Sequence, residues 1–372
     1  MKKILLLSHD SGAPGGPVDK LYEYLKKDYE VSIIRHPLFP KSKLESTIKF
    51  ENTKLQFKLP ALVQYPIEGF ITGFILLLKL KKRPAVDLTI SFDPLAYMNI
   101  YLFPMMYKSK KNVYYNLDFS RQRFKNPFMN FIYNQANIIS YKTCTYFFCL
   151  NDSIIKVLDP KNLNRQKNFI VPQTVTLINS NQKKKKNSLV YAGAIGGSVN
   201  FDFLLQALVQ LKKEKIPYIL DIYGHENDNG HLRLKIKEYS LEKNVFLKGP
   251  HDLVELTQHI IPTYMIGLSP YRTKGDPLAP DYLFATQTLT AKIVDYIAAG
   301  LPVIATKINT AFDQIESKRF GMLANDSKDW YYAIKMLLAD KNLYAEFRGN
   351  ALRNAKKYDE NTIFSSIFKK IL

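Results

Sequence analysis

Residues Thr288–Thr306 read TLTAKIVDYIAAGLPVIAT, a helix, a stop and a strand in that order. Thr288 or Thr290 offers a side-chain oxygen at the helix start. Gly300 stands where a helix ends on a left-handed residue. Leu301-Pro302 then leads into Val303-Ile304-Ala305, a continuous apolar run of the kind buried on both faces in a parallel sheet. A helix start presents free backbone N–H groups and a partial positive charge, a ready seat for phosphate. Lys292 adds a full charge in the first turn. Asp295 follows three residues later, about 4.5 Å along the axis and close to the same face. That spacing suits a phosphate at one residue and a ribose hydroxyl pair at the other. A surface Lys–Asp pair on an ordinary helix has the same letters, so chemistry alone leaves both readings open.

The same alternation of strand and helix extends outward in both directions. Upstream of the quoted stretch, apolar runs fall at Ser188–Ala192, Tyr218–Tyr223, Asn244–Leu247 and Met265–Ser269, with helical patterns near 200–213, 230–239 and 252–260, and the quoted stretch itself supplies the one near 289–299. A further helix is expected near 328–339. A separate series opens the chain at Ile4–Leu7, Val31–Ile34, Asp87–Ile90, Asn112–Tyr115 and Tyr146–Leu150. Strands alternating with helices read as parallel sheets. Between the two series the composition turns polar and ends in Lys183-Lys184-Lys185-Lys186, which reads as a solvated charge run in a linker. The expected organisation is a first Rossmann-like lobe over 1–170, a linker over 171–187, a second lobe over 188–358 and a terminal helix over 359–372. The fold class is α/β. A length of 372 residues suits two domains.

The run from Lys292 to Thr306 resembles the donor-site signature of GT-B glycosyltransferases of the group 1 (GT4-like) type, which reads Lys-x-x-Glu-Tyr-x-Ala-x-Gly-x-Pro-Val-Val. Other pieces resemble that family in order and spacing: Val190-Tyr191-Ala192-Gly193-Ala194-Ile195-Gly196-Gly197, then Leu220–Gly224, then Asn244–Gly249. The resemblance covers about 140 residues of the second lobe and is weaker over the first. It implies a GT-B fold, two Rossmann-like lobes facing each other across a cleft. It also implies a nucleotide-sugar donor, UDP-linked in this reading, with no metal and no cofactor. Lys292 would contact the diphosphate and Asp295 the ribose, with Gly193 and Gly196 in the glycine loop. Asp295 replaces the usual Glu. Gln287 stands eight residues before it, where many relatives have a Glu touching the sugar. The Arg and Lys that often follow the glycine loop are missing from Gly196–Phe203. Lys292, Arg272 and Lys274 would then share the phosphate, with Tyr271 and Thr290 at the same site.

In the first lobe Gly12-Ala13-Pro14-Gly15-Gly16-Pro17 follows the first strand. In the resembling family a Gly-Gly pair here, Gly15 and Gly16, approaches the donor phosphates or the acceptor, and His9 stands beside it. Asp118 is the leading candidate for a catalytic base and Asp93 the alternative, since both follow strands. Either also suits a helix cap. The charge, 53 Lys+Arg against 33 Asp+Glu, asks for an anionic partner. Residues 1–180 carry 26 basic and 13 acidic side chains, so the first lobe holds most of the excess. No zinc-finger spacing, RNA-recognition signature or basic heptad region supports nucleic acid. Phe70–Leu78 is strongly apolar but too short to span a bilayer. Followed by Lys79, Lys81, Lys82 and Arg83, it reads either as a buried helix or as one lying on an anionic membrane. Two cysteines without paired spacing fit a reducing, cytoplasmic setting, here at the inner face of the plasma membrane. Asp-x-Asp, HxxxH, Walker A and Gly-x-Ser-x-Gly patterns are absent. The function these features imply is sugar transfer to a lipid-linked or saccharide acceptor in bacterial surface polysaccharide assembly. A non-hydrolysing sugar-nucleotide epimerase and a catalytically silent nucleotide-sugar-binding protein are the alternatives.

Overall fold

A computed structural model describes residues 1–10, 16–37, 45–51, 53–58, 68–81, 85–104, 107–117, 119–124, 126–178, 182–279 and 287–372. Asp118, Gly15, Lys82, Arg83 and Lys125 lie outside the described residues. The chain divides into two compact units, Met1–Pro172 with Lys370–Leu372, and Gln173–Lys369.

Unit 1 runs β1 (Lys3–Asp10), α1 (Pro17–Leu25), β2 (Glu30–Pro37), β3 (Ser46–Phe50), β4 (Thr53–Phe57), α2 (Glu68–Leu80), β5 (Ala85–Phe92), α3 (Pro94–Leu102), β6 (Lys108–Asn116), α4 (Pro127–Thr143), β7 (Tyr146–Cys149), α5 (Asp152–Leu158) and β8 (Asn168–Ile170). Its sheet has the order β4-β3-β2-β1-β5-β6-β7-β8. The β3–β4 hairpin is antiparallel and extends one edge beyond β2. These two strands carry little periodic signal, because β4 alternates between half-buried and exposed residues with Lys54 among them. The central strands bury Leu5 and Leu7 against Ile34, Leu76 of α2 and Ile100 of α3. Strand order reverses between β1 and β5.

Unit 2 runs β9 (Ser188–Ala192), α6 (Asp202–Lys213), β10 (Ile219–Tyr223), α7 (His231–Glu238), β11 (Val245–Gly249), α8 (Leu253–Glu255), β12 (Ile266–Ser269), α9 (Ala291–Ala298), β13 (Val303–Ala305), α10 (Asp313–Ser317), β14 (Gly321–Leu323), α11 (Ser327–Ala339), α12 (Lys341–Ala355) and α13 (Glu360–Ile371). The order is β11-β10-β9-β12-β13-β14, and every pairing is parallel. α6 and α11 cover one face of the sheet, with Leu204, Leu208, Trp330 and Ile334 in its core. α9 covers the other with Ile293, Val294 and Ile297.

α9 is the helix of the deciding stretch. It ends as its sequence implies: Gly300 has φ +67, its N–H reaches the Ile297 carbonyl at 3.1 Å, and the Leu301 N–H reaches that of Tyr296 at 2.9 Å. That paired closure is the usual left-handed stop. The helix expected over 252–260 is present as the short α8 continued by a wider, π-helical turn over Leu256–Ile260.

The lysine run at 183–186 departs from a solvated linker. Lys184 Nζ donates to the carbonyls of Pro262, 2.8 Å, and Ala299, 3.1 Å. Ala299 is the C-terminal cap of α9, where carbonyls lack helical partners. Burial, with Arg348 nearby, pulls the Lys184 ammonium down to about 7. Lys185 lies over the ring of Tyr264. The run is thus partly docked on unit 2.

Candidate functional site

In unit 2 the strand order reverses between β9 and β12, and ligands of such sheets sit beyond the strand C-termini at that reversal. The two strands pair only at Ile266↔Leu189 and Gly267↔Val190, then part. Tyr296 of α9 fills the gap. Its buried hydroxyl accepts from the Ala192 N–H at 2.8 Å and donates to the Leu268 carbonyl at 3.1 Å. The core stripe of α9 therefore fixes the helix start over the crevice.

The loop after β9 is held against the loop after β10. Gly193 N–H donates to the Tyr223 carbonyl at 2.8 Å, and Ile195 exchanges hydrogen bonds with His225 and Asn227. The approach is so close that a Cβ on Gly224 would lie 1.8 Å from the Gly193 oxygen. On the other side of the crevice, Tyr271 follows β12. Its hydroxyl donates to Thr290 Oγ1 at 2.8 Å. Thr290 is the N-cap residue of α9, but its side chain makes no capping bond to the helix. The hydroxyl that would cap the helix serves Tyr271 instead.

Lys292 sits where these pieces meet. Its Nζ is 3.0 Å from the Tyr191 hydroxyl, 4.3 Å from the Tyr191 ring centre and 4.8 Å from that of Tyr271. A Cβ on Gly193 would be 3.2 Å from that Nζ. Among the described residues no carboxylate lies within ion-pair distance of it. Burial alone pulls the ammonium down to about 7. This is a half-buried cation facing π-clouds and one hydroxyl, at the start of a helix whose N-cap side chain is engaged elsewhere. Such a site stabilises a bound anion. Asp295, half-buried, follows one step along the same helix.

The other expected donor residues are placed as follows. Arg272 Nε donates to the Gly197 carbonyl at 2.7 Å, and its Nη1 pairs with Asp276 at 2.8 Å. Its guanidinium staples the glycine loop to its own loop. Gln287 Oε1 accepts from Thr310 Oγ1 at 2.8 Å and from its N–H at 3.3 Å. Gly196 has φ +108 and carries the loop past Asn227. Lys274 is exposed. Tyr191 and Tyr296 were not singled out in the sequence, because an aromatic in an apolar strand or helix stripe reads as core.

In unit 1 the equivalent reversal brings His9 and Asp93 together. Asp93 has φ +85 and caps α3: its Oδ1 accepts from the N–H of Leu95 at 2.7 Å and Ala96 at 2.9 Å. Its Oδ2 accepts the His9 N–H at 3.2 Å and lies 3.3 Å from His9 Nδ1. His9 Nε2 contacts Glu68, which opens α2 and is 1% exposed. Burial opposes charge on His9, but Asp93 and Glu68 overcome it and carry the ring up to about 10. Burial and the neighbouring His9 push His36 down to about 3. An enclosed imidazolium held charged through the neutral range is a cation there and not a proton acceptor. Gly16 has an ordinary extended φ of −67 ahead of Pro17. Among the described residues no group of three or more His, Cys, Asp or Glu has metal-holding geometry, and no helix is long and apolar enough to cross a membrane. A cavity of about 430 Å³ lies elsewhere, by the start of β6 among Tyr97, Tyr101, Lys108 and Thr143.

A parallel sheet with a cationic helix start at its strand-order reversal defines a Rossmann-like unit, and the whole chain has the GT-B fold. Residues 175–354, most of unit 2, match the family described as Glycosyl transferases group 1. The chain is similar to the GtfA subunit of the UDP-N-acetylglucosamine–peptide N-acetylglucosaminyltransferase of Streptococcus pneumoniae serotype 4, with 29% identity over 184 residues, 48% of this chain and 33% of that protein. It therefore matches only about a third of that relative's length. Among solved structures, the pneumococcal O-GlcNAc transferase GtfA in complex with UDP and GlcNAc superposes with a TM-score of 0.60 at 17% identity, over 87% of this chain and 62% of that one. HepE of Anabaena in complex with UDP-glucose gives 0.65 at 14%, over 100% of this chain and 99% of that one.

Proposed function

We propose that the chain transfers a sugar from a UDP-linked donor to a saccharide or lipid-linked acceptor, in bacterial surface polysaccharide assembly at the membrane. The observation that carries the reading is the enclosed Lys292 ammonium, unpaired with any carboxylate among the described residues, at the start of α9. The relatives crystallised with UDP or UDP-glucose support the donor class.

In the transfer, the bond between the sugar C1 and the diphosphate oxygen breaks, and a bond from the acceptor oxygen to C1 forms. The departing diphosphate gains negative charge. Lys292 and the backbone N–H groups at the α9 start stabilise it, taking a role that a metal ion plays elsewhere. Asp295 holds the ribose hydroxyls. Tyr191 and Tyr271 confine the ammonium, and Arg272 acts on the site through the glycine loop. The acceptor proton passes to Asp118 or, without a protein base, to the departing phosphate. Asp93 is less suited to take it, because both its oxygens already accept N–H groups.

The test is a release and transfer assay with a panel of UDP-sugars, beginning with UDP-N-acetylglucosamine, the donor in the relative's name. Turnover of one donor by the wild type, lost in Lys292→Ala, is the expected outcome. Tight UDP binding with no turnover of any donor would favour a silent binding protein, a reading that the engaged Gln287 amide oxygen supports.

A further inference from the structure

α2, α3 and α4 lie side by side on unit 1, α3 packed against both others. Of the 24 large apolar side chains exposed among the described residues, eleven belong to these three helices, far beyond their share of the chain. α2 and α4 are amphipathic in the inverted sense. On α2 the buried side holds Glu68 and Thr72 beside Leu76, while Phe74 and Leu78 are 45% and 63% exposed. On α4 the buried side holds Asn137, whose Oδ1 accepts from Tyr114 and Asn116, and Tyr141, which donates to Asp159 at 3.0 Å. Its outer side carries Phe128 at 66%, Phe131 at 59% and Ile132 at 42% exposure, at i, i+3 and i+4 and so on one face. A soluble helix puts its apolar stripe inward. Here polar groups turn inward, Asn137 and Tyr141 hydrogen-bonded and the Thr72 hydroxyl buried without a partner, and the apolar stripe is left for something else.

The charge on this layer says what that is. Residues 69–151 contain eleven Lys and Arg against three Asp. Of those three, Asp87 is paired with Lys110 and Asp93 with His9. Beyond Glu68, none of the three helices carries an acidic residue. Lys79, Lys81, Arg121 and Lys142 are exposed around them. A second copy of the chain would bring like charge against like. An anionic lipid surface matches both the cations and the apolar side chains, each basic group contributing about 1 kcal/mol near such a surface. With 13 and 17 residues, α2 and α4 fall short of a span, as helices lying in the interface do.

We infer that the α2–α3–α4 layer docks on an anionic lipid bilayer, and that the first two turns of α4, through Phe128, Phe131 and Ile132, are the part that enters the interface. This deepens the membrane association of the proposed function and moves its centre from the basic tail of α2 to α4.

The experiment is flotation of the full chain with vesicles of phosphatidylcholine alone or mixed equally with phosphatidylglycerol, with UDP binding measured in parallel. The wild type floats with the mixed vesicles and not with the neutral ones, and salt weakens it. Phe128→Ser with Phe131→Ser lowers partition about tenfold or more and leaves UDP binding intact. Phe128→Trp keeps the folded chain and reports directly: the chain's one tryptophan, Trp330, is buried, so a blue shift on the mixed vesicles comes from position 128. An unshifted emission overturns the inference, as does flotation indifferent to the serine pair. So does a wild-type dimer that the serine pair dissolves, which would make the layer a protein interface. Loss of UDP binding in the wild type, with flotation kept, would strike the donor reading and leave this one standing.

Discussion

Lys292 is lowered by burial alone, with two tyrosine rings and one hydroxyl in place of a counter-ion. A diphosphate beside it favours the charged form and raises its pKa again. Above pH 7 the free protein carries Lys292 largely neutral, so binding must take up a proton. Nucleotide affinity should therefore fall as pH climbs above 7, by up to about tenfold per unit. Calorimetric titration of UDP at pH 8 in two buffers of different ionisation enthalpy reads that proton directly; identical heats would contradict it. Lys292→Ala should cost about 10²–10³ in kcat/KM for the donor, as the loss of one preorganised charge facing a leaving group does. His9 titrates with the opposite sign. Its folded value of about 10 lies above the ordinary 6.5. Its contribution to stability is complete below pH 6.5 and lost as pH rises towards 10. The stability advantage of the wild type over His9→Gln, followed by urea unfolding, should shrink across that window; a constant gap would show that the ring is not charged.

At the scale of elements, α9 works as a single part. Its stop at Gly300, its dock at Tyr296 and its cation at Lys292 come from one short run of sequence, and Lys184 holds its last carbonyl. Tyr296→Phe leaves the Ala192 N–H and the Leu268 carbonyl without their bridge. The cost should be about 1–3 kcal/mol, the usual penalty for buried groups left unpaired, read from chemical denaturation. Gly224→Ala is expected to do more, because a methyl 1.8 Å from the Gly193 oxygen must force the two loops apart. About 3 kcal/mol or more and a weakened UDP site should appear together. If Gly224→Ala bound UDP like the wild type, the closeness of those loops would have no bearing on the site.

On the scale of the whole molecule, the alternation of apolar runs with helical patterns was enough to expect two parallel-sheet units, and every strand marked from that alternation is present. What escaped did so for separate physical reasons. The β3–β4 hairpin sits at a sheet edge, where one-sided burial leaves little apolar signal. Lys184 reads as solvated because a lysine run carries no sign that helix-end carbonyls await it. Tyr191 and Tyr296 look like core and are core, yet they also set the position of the site cation. Asp93 was weighed as a base or a cap, and its hydrogen bonds are those of a cap that also holds His9. The α9 motif was legible because helix start, charge and stop each demand particular residue types at fixed spacing.

The central claim is that the crevice at the β9–β12 reversal is the seat of the donor diphosphate. A crystal structure with UDP bound tests it most directly. The account predicts a diphosphate oxygen within hydrogen-bond distance of Lys292 Nζ and of the first backbone N–H groups of α9, with the ribose hydroxyls at Asp295. UDP seated elsewhere, with Lys292 Nζ still held between Tyr191 and Tyr271 and touching no phosphate, would contradict it.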